Sequence, residues 1–132
     1  MPGVVAIRNS AFIARFHVRP ERRNEFETMF DALWRQSLDF MNAQANFVFY
    51  GWDRANRAFV AIESYKDEEM LKTLRASDVF QDKVGQLMSL CDAPMDIELF
   101  SGIEGSRAVF EQYPAGPSKV HPRVNGLGGV FL

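Results

Sequence analysis

The sequence is short of the residues that most often carry chemistry. Its 132 residues include one cysteine, Cys91, and two histidines, His17 and His121. A single cysteine cannot close an internal disulfide, and a reducing cytoplasm is the expected setting. Cys91 reads as the buried end of a helix, not as a nucleophile beside a base. The histidines lie far apart in sequence, so no close cluster of metal-ligating residues is present and no metal is expected. Net charge is −2 with both signs interspersed, which leaves no basic stripe for nucleic acid. No apolar run approaches the roughly 18 residues that span a bilayer, so no membrane partner is expected. The first residues, MPGVVAIRNSAF, lack a basic segment followed by an apolar core and do not read as a secretory leader. There is no GxSxG elbow and no phosphate-binding P-loop. NGLGG at 125–129 is no dinucleotide fingerprint, because no helix-length segment follows it.

What is present is a well-patterned core. Phenylalanine occurs twelve times, and 47% of residues are hydrophobic against 24% charged. That is a soluble globular composition, of a length suited to one domain. Residues 11–18 alternate as a strand, with Phe12, Ala14, Phe16 and Val18 on one face and Ile13, Arg15 and His17 on the other. Pro20 suits the first turn of a helix. The stripe Phe26, Met29, Phe30, Leu33, Trp34, Leu38 predicts one helix from about Glu21 to Met41. Residues 46–53 and 57–65 read as a hairpin about Ala55-Asn56. That register sets Trp52 opposite Phe59, Tyr50 opposite Ala61, Val48 opposite Glu63 and Asn46 opposite Tyr65. Asp67 and Ser77 are helix caps, predicting helices over 68–75 and from Asp78 to about Leu90. Residues 95–101 alternate as a fourth strand.

The order is β-α-β-β-α-β, the pattern of an α+β, ferredoxin-like domain with an antiparallel four-stranded sheet and both helices on one face. The domain spans 1–102, with its core at 11–102. Residues 103–132, rich in Pro and Gly, read as an irregular extension that packs on the domain or on a dimer partner, or else as a mobile tail. Helices on one face leave the other uncovered, with Phe47, Phe49, Val60 and Ile62 or their opposites on it, so a two-fold homodimer is expected, the alternative being that the extension after residue 102 folds back over the open face. Exposing four such side chains forgoes about 6–12 kcal/mol, on the order of a domain's net stability. Arg15, His17, Asp96 and Glu98 form a charged group on neighbouring strands, with cross-strand pairing the simplest account.

The run FIARFHVRPERRNEFETMF, the hairpin NFVFYGWDRANRAFVAIESYKDEE, and LRASDVFQ before a final IELF resemble the antibiotic biosynthesis monooxygenase family of dimeric α+β barrels. The resemblance covers roughly residues 11–102. It implies oxygenation of a small aromatic polyphenol or quinol, or a polyketide-like substrate, by O2 without a cofactor. It also implies a pocket between sheet and helices. Its walls would be Phe26, Phe30, Trp34, Leu74, Phe80 and Leu87, with polar tips from Asn46, Tyr50, Trp52 and Tyr65. Tyr65, Asn46 and Trp52 would hold substrate oxygens, and either Tyr65, His17 or His121 would act as base or the substrate would ionise in solution and bind as the anion. Many relatives carry Trp at the position of Tyr65 and His at that of Leu74, and a leucine can neither take a proton nor ligate haem iron. A non-catalytic binding or stress-type barrel, and an isomerase or cyclase, are the alternative functions.

Overall fold

A computed structural model of the chain describes residues 3–4, 10–55, 57–101, 110–111, 116, 118–123 and 130–131. The elements in order are β1 (Gly3–Val4), β2 (Ser10–Phe16), α1 (Arg23–Gln36), α2 (Leu38–Gln44), β3 (Ala45–Trp52), β4 (Phe59–Tyr65), α3 (Glu68–Ala76), α4 (Asp78–Met88), β5 (Met95–Ser101), β6 (Ser118–Pro122) and β7 (Val130–Phe131). A five-stranded sheet has the order β3-β4-β2-β5-β6, while β1 and β7 pair separately. The four expected strands are antiparallel in the ferredoxin-like order. The expectation of a four-stranded, wholly antiparallel sheet is corrected by β6, which joins the edge of β5 in parallel, Ile97 opposite Val120. The sheet is therefore mixed. Part of the extension is regular strand, not irregular chain. The expectations for Asn56 and NGLGG fall outside the described residues.

The hairpin register follows from period-two alternation. Trp52 pairs with Phe59, Tyr50 with Ala61 and Val48 with Glu63, as expected. Asn46 is the exception. The register shifts between Ala45 and Phe47, so Ala45 and not Asn46 stands opposite Tyr65. Such an irregularity at a strand's first residues aims a side chain off the regular face.

The predicted first helix is divided. Pro20–Arg22 form a 3-10 turn, α1 follows, and the chain breaks at Ser37 before α2. The Ser37 hydroxyl donates to the Leu33 carbonyl at 2.9 Å, and its amide donates to the Trp34 carbonyl at 3.1 Å. Back-bonding of this kind competes with the helical ladder and bends the chain. The later helices keep their caps. Asp67 accepts from the Glu69 amide at 2.8 Å and Ser77 from the Phe80 amide at 3.3 Å.

Both helical layers cover one face of the sheet, and the aromatic residues fill the seam. Phe30 and Phe59 have ring centroids 4.7 Å apart, Phe26 and Phe59 5.1 Å, and Phe16 and Phe26 5.2 Å. The extension also enters this core. Phe110 is fully buried, 4.8 Å from the Phe12 ring. Gly116 is required by close approach, because a Cβ there would lie 2.8 Å from Val84 Cγ1. The opposite face carries Phe47, Phe49 and Ile62, all exposed, beside a charged half. That half holds the pairs Arg15–Glu98 at 2.5 Å and His17–Asp96 at 2.6 Å, joined from the extension by His121 on Asp96 and Arg123 on Glu98. The charged group expected from the sequence is thus cross-strand pairing.

Candidate functional site

Between sheet and helices lies an internal cavity of about 30 Å³. Its walls are apolar: Phe12 and Phe16 from β2, Phe30 and Trp34 from α1, Leu74 from α3, Phe80 and Leu87 from α4. Three chemically active groups line it, Glu63 and Tyr65 from β4 and Arg75 from α3. Alternation along β4 explains the first two. Phe59, Ala61, Glu63 and Tyr65 share the inward face, so a carboxyl follows two apolar residues into the core.

Glu63 is 6% exposed and Tyr65 1%. The Tyr65 hydroxyl donates to Glu63 Oε1 at 2.5 Å. Burial pushes the Glu63 carboxyl up to about 7, against the Tyr65 hydrogen bond and the Arg75 charge, which both lower it. Burial also drives the Tyr65 phenol well above its ordinary value, and the neighbouring Glu63 adds to this. Tyr65 therefore stays a neutral donor. Arg75 is 5% exposed, its guanidinium 5.6 Å from the Phe80 ring and 4.6 Å from the Phe110 ring. Two aromatic faces thus hold the cation in place. The result is one acid–base group poised near neutrality, one fixed donor and one fixed cation in a largely apolar pocket.

Six of the expected site residues meet here: Phe30, Trp34, Tyr65, Leu74, Phe80 and Leu87. The others do not. Phe26 is buried deeper in the aromatic seam. Trp52 donates its indole N–H to Glu27 at 2.8 Å and stacks under Arg23, away from the cavity. Tyr50 donates to Asp31 at 2.7 Å, at the outer surface. Asn46 donates to Ser64 Oγ at 3.0 Å from its irregular position. His17 and His121 both contact Asp96 on the far side of the sheet, because alternation places them opposite the inward residues. Cys91 donates to the Leu87 carbonyl, and burial raises its thiol to about 11, which leaves it unreactive.

No family model matches the chain, and no curated protein does. Solved structures do match. A conserved protein from Methanosarcina mazei superposes with TM-score 0.64 at 20% identity, over 72% of this chain and 93% of its own. A protein from Mycobacterium tuberculosis gives 0.62 at 20% identity, over 73% and 96%. An antibiotic biosynthesis monooxygenase gives 0.61 at 17% identity, over 71% and 98%. Many of the matching structures carry that family name. The chain has the antibiotic biosynthesis monooxygenase fold. These three neighbours are matched almost end to end, whereas more than a quarter of this chain lies beyond the match with each of them.

Two residues of the monooxygenase-fold cavity escaped the sequence reading, Glu63 and Arg75. Both signals were available. The hairpin register had already put Glu63 opposite Val48, on the face shared with Tyr65. Arg75 stands one residue after Leu74, just before the Ser77 cap.

Proposed function

We propose that the chain is a monooxygenase that oxidises an electron-rich phenol or quinol with O2, using Glu63 as general base and needing no cofactor. The observation that carries this is a carboxyl pushed up to about 7 in an apolar cavity, hydrogen-bonded to Tyr65 and faced by the Arg75 cation. Catalytic bases work best with a pKa near the operating pH, and burial is how a carboxyl reaches it. Glu63 takes the phenolic proton, and Arg75 stabilises the phenolate and the reduced oxygen that follows. The electron-rich anion reduces O2 and combines with it at carbon to give a peroxide. Protonated Glu63 returns a proton as the O–O bond breaks. One oxygen stays on the ring and the other leaves as water. For a hydroquinone the sum is quinol plus O2 giving hydroxyquinone plus water, with all four electrons supplied by the substrate. An apolar pocket keeps bulk water from the intermediate.

A second copy of the chain is part of this reading. The exposed strip Phe47, Phe49, Ile62 suits sheet-to-sheet packing in a homodimer.

The test is oxygen uptake with a panel of hydroquinones, with ¹⁸O2 labelling of the product. One labelled atom per turnover, lost in Glu63→Gln by roughly 100-fold or more, is expected. Product formed equally without oxygen would instead identify an isomerase or cyclase using the same carboxyl–phenol pair. Binding without turnover would identify a non-catalytic barrel.

A further inference from the structure

The inner cavity is too small for the ring it is proposed to hold. Benzene occupies engineered cavities of about 150 Å³, whereas this one measures about 30 Å³. A larger space adjoins it. A groove of about 500 Å³ runs between α1, α2 and β3, within the range of ligand sites. Trp34 lines both the cavity and the groove. Behind it Phe30, a cavity residue, packs edge-on against Tyr50, a groove residue, at 5.1 Å. Trp34 is thus shared by the two spaces, with the Phe30–Tyr50 pair beside it.

Trp34 is 9% exposed, and its indole Nε1 is buried with no hydrogen-bond partner among the described residues. Buried donors are nearly always satisfied, and one that is not marks a place where an acceptor is missing. Leu38, Met41 and Asn42 of α2, which follows the break at Ser37, line the same groove as Trp34. The groove's rim charges cancel. Asp31 accepts from Arg35 at 2.6 Å and from Tyr50 at 2.7 Å. An uncharged ligand suits such a surface better than an ion.

We propose that the groove is a second ligand subsite and the route to the cavity, with Trp34 as the gating and specificity-determining residue. It takes an uncharged, acceptor-bearing arm attached to the reacting ring. The ring displaces the Trp34 side chain to reach Glu63, and a carbonyl on the arm accepts from the Trp34 N–H. This rests on the reading of Glu63 as the reactive centre, but its test uses binding alone.

The chain has two tryptophans, so Trp52→Phe leaves Trp34 as the sole indole. That variant is titrated without oxygen against plain hydroquinone and against hydroquinone bearing a carboxamide-linked arm. The arm should tighten binding at least tenfold and change Trp34 emission. Trp34→Phe, followed by calorimetry, should cut that gain by roughly five- to tenfold, the worth of one hydrogen bond. Asn42→Phe fills the groove from an exposed position and should abolish the gain without disturbing the core. The proposal is overturned if the arm adds nothing, if its gain survives both variants, if Trp34 emission stays constant, or if neither compound binds. Glu63-dependent oxygen uptake with no Trp34 response would sink the groove and leave the oxygenase reading standing. A Trp34 response without aerobic turnover would do the reverse.

Discussion

Glu63→Gln should change how stability depends on pH, by an amount set by its burial. The carboxyl has an ordinary value of 4.5 and is raised to about 7 in the folded chain. Between those values the folded state holds a proton that the unfolded state has released. Stability therefore falls as pH rises through this window. The contribution is fully present below about 4.5 and lost above about 7. A shift of this size corresponds to about 3 kcal/mol. Glutamine has no such proton, and its amide oxygen can still accept from Tyr65. Other carboxyls slope the opposite way. Asp31, Asp96 and Glu98 are held below their ordinary values by Arg35, His17 and Arg15 respectively, and lose their contributions as pH falls. Wild type and variant share those groups, so they cancel in the difference. Urea unfolding of both proteins from about pH 4 to about pH 8.5 should show Glu63→Gln gaining about 3 kcal/mol relative to wild type. In melting temperature that is roughly 10 °C. Parallel stability curves would refute the burial argument, and with it the assignment of Glu63 as a base tuned to neutrality.

Phe49→Asp should abolish a homodimer while leaving the fold intact, because Phe49 is 64% exposed in the single chain. Light scattering should read twice the 15.0 kDa chain mass for wild type and the single mass for the variant; a wild type monomeric at micromolar concentration would end the dimer proposal. Gly116→Ala should cost about 1–3 kcal/mol in urea unfolding, since its Cβ would meet Val84 Cγ1 at 2.8 Å. A neutral result would mean that the extension adds little to the core.

Elements whose pattern repeats are legible in the sequence. Strict alternation sorts the residues of β2, β4 and β5 into two faces, and three- and four-residue spacing marks the apolar stripe of α1; burial in the structure shows which sheet face meets the helices. The pairing of Trp52 with Phe59 depends on where the hairpin turns, since a one-residue slip would turn every side chain over, and it is the structure that pairs them. Features that depend on one residue's local choice were not legible. Ser37 could have faced solvent within an unbroken helix, and only its bond to the Leu33 carbonyl shows that it ends one. The strand at Ser118–Pro122 is short and ends in proline, and it forms because the edge of β5 offers it a partner. Side-chain partners are of the same kind. Asn46, Trp52 and His17 are residue types suited to the chemistry, and each bonds outside the cavity, to Ser64, Glu27 and Asp96.

A carboxyl in a strand is ordinarily at the surface, and the position of Glu63 on the inward face is what gives it meaning. A buried carboxyl kept near neutrality lowers stability at neutral pH by an amount that is large beside the 5–15 kcal/mol typical of a whole domain. A leucine on the inward face of β4 would avoid that loss, and the neighbours on this face, Phe59 and Ala61, are apolar. The unfavourable group also does not stand alone. Tyr65 is aimed at it, and Arg75 is buried in the same cavity between two aromatic rings. Where local rules of stability are broken by several residues at one place, and those residues converge on one apolar cavity, function is the economical explanation. The same reasoning separates this cavity from the His17–Asp96–His121 group. Those residues are half exposed, satisfy one another across strands, and break no rule that stability would impose.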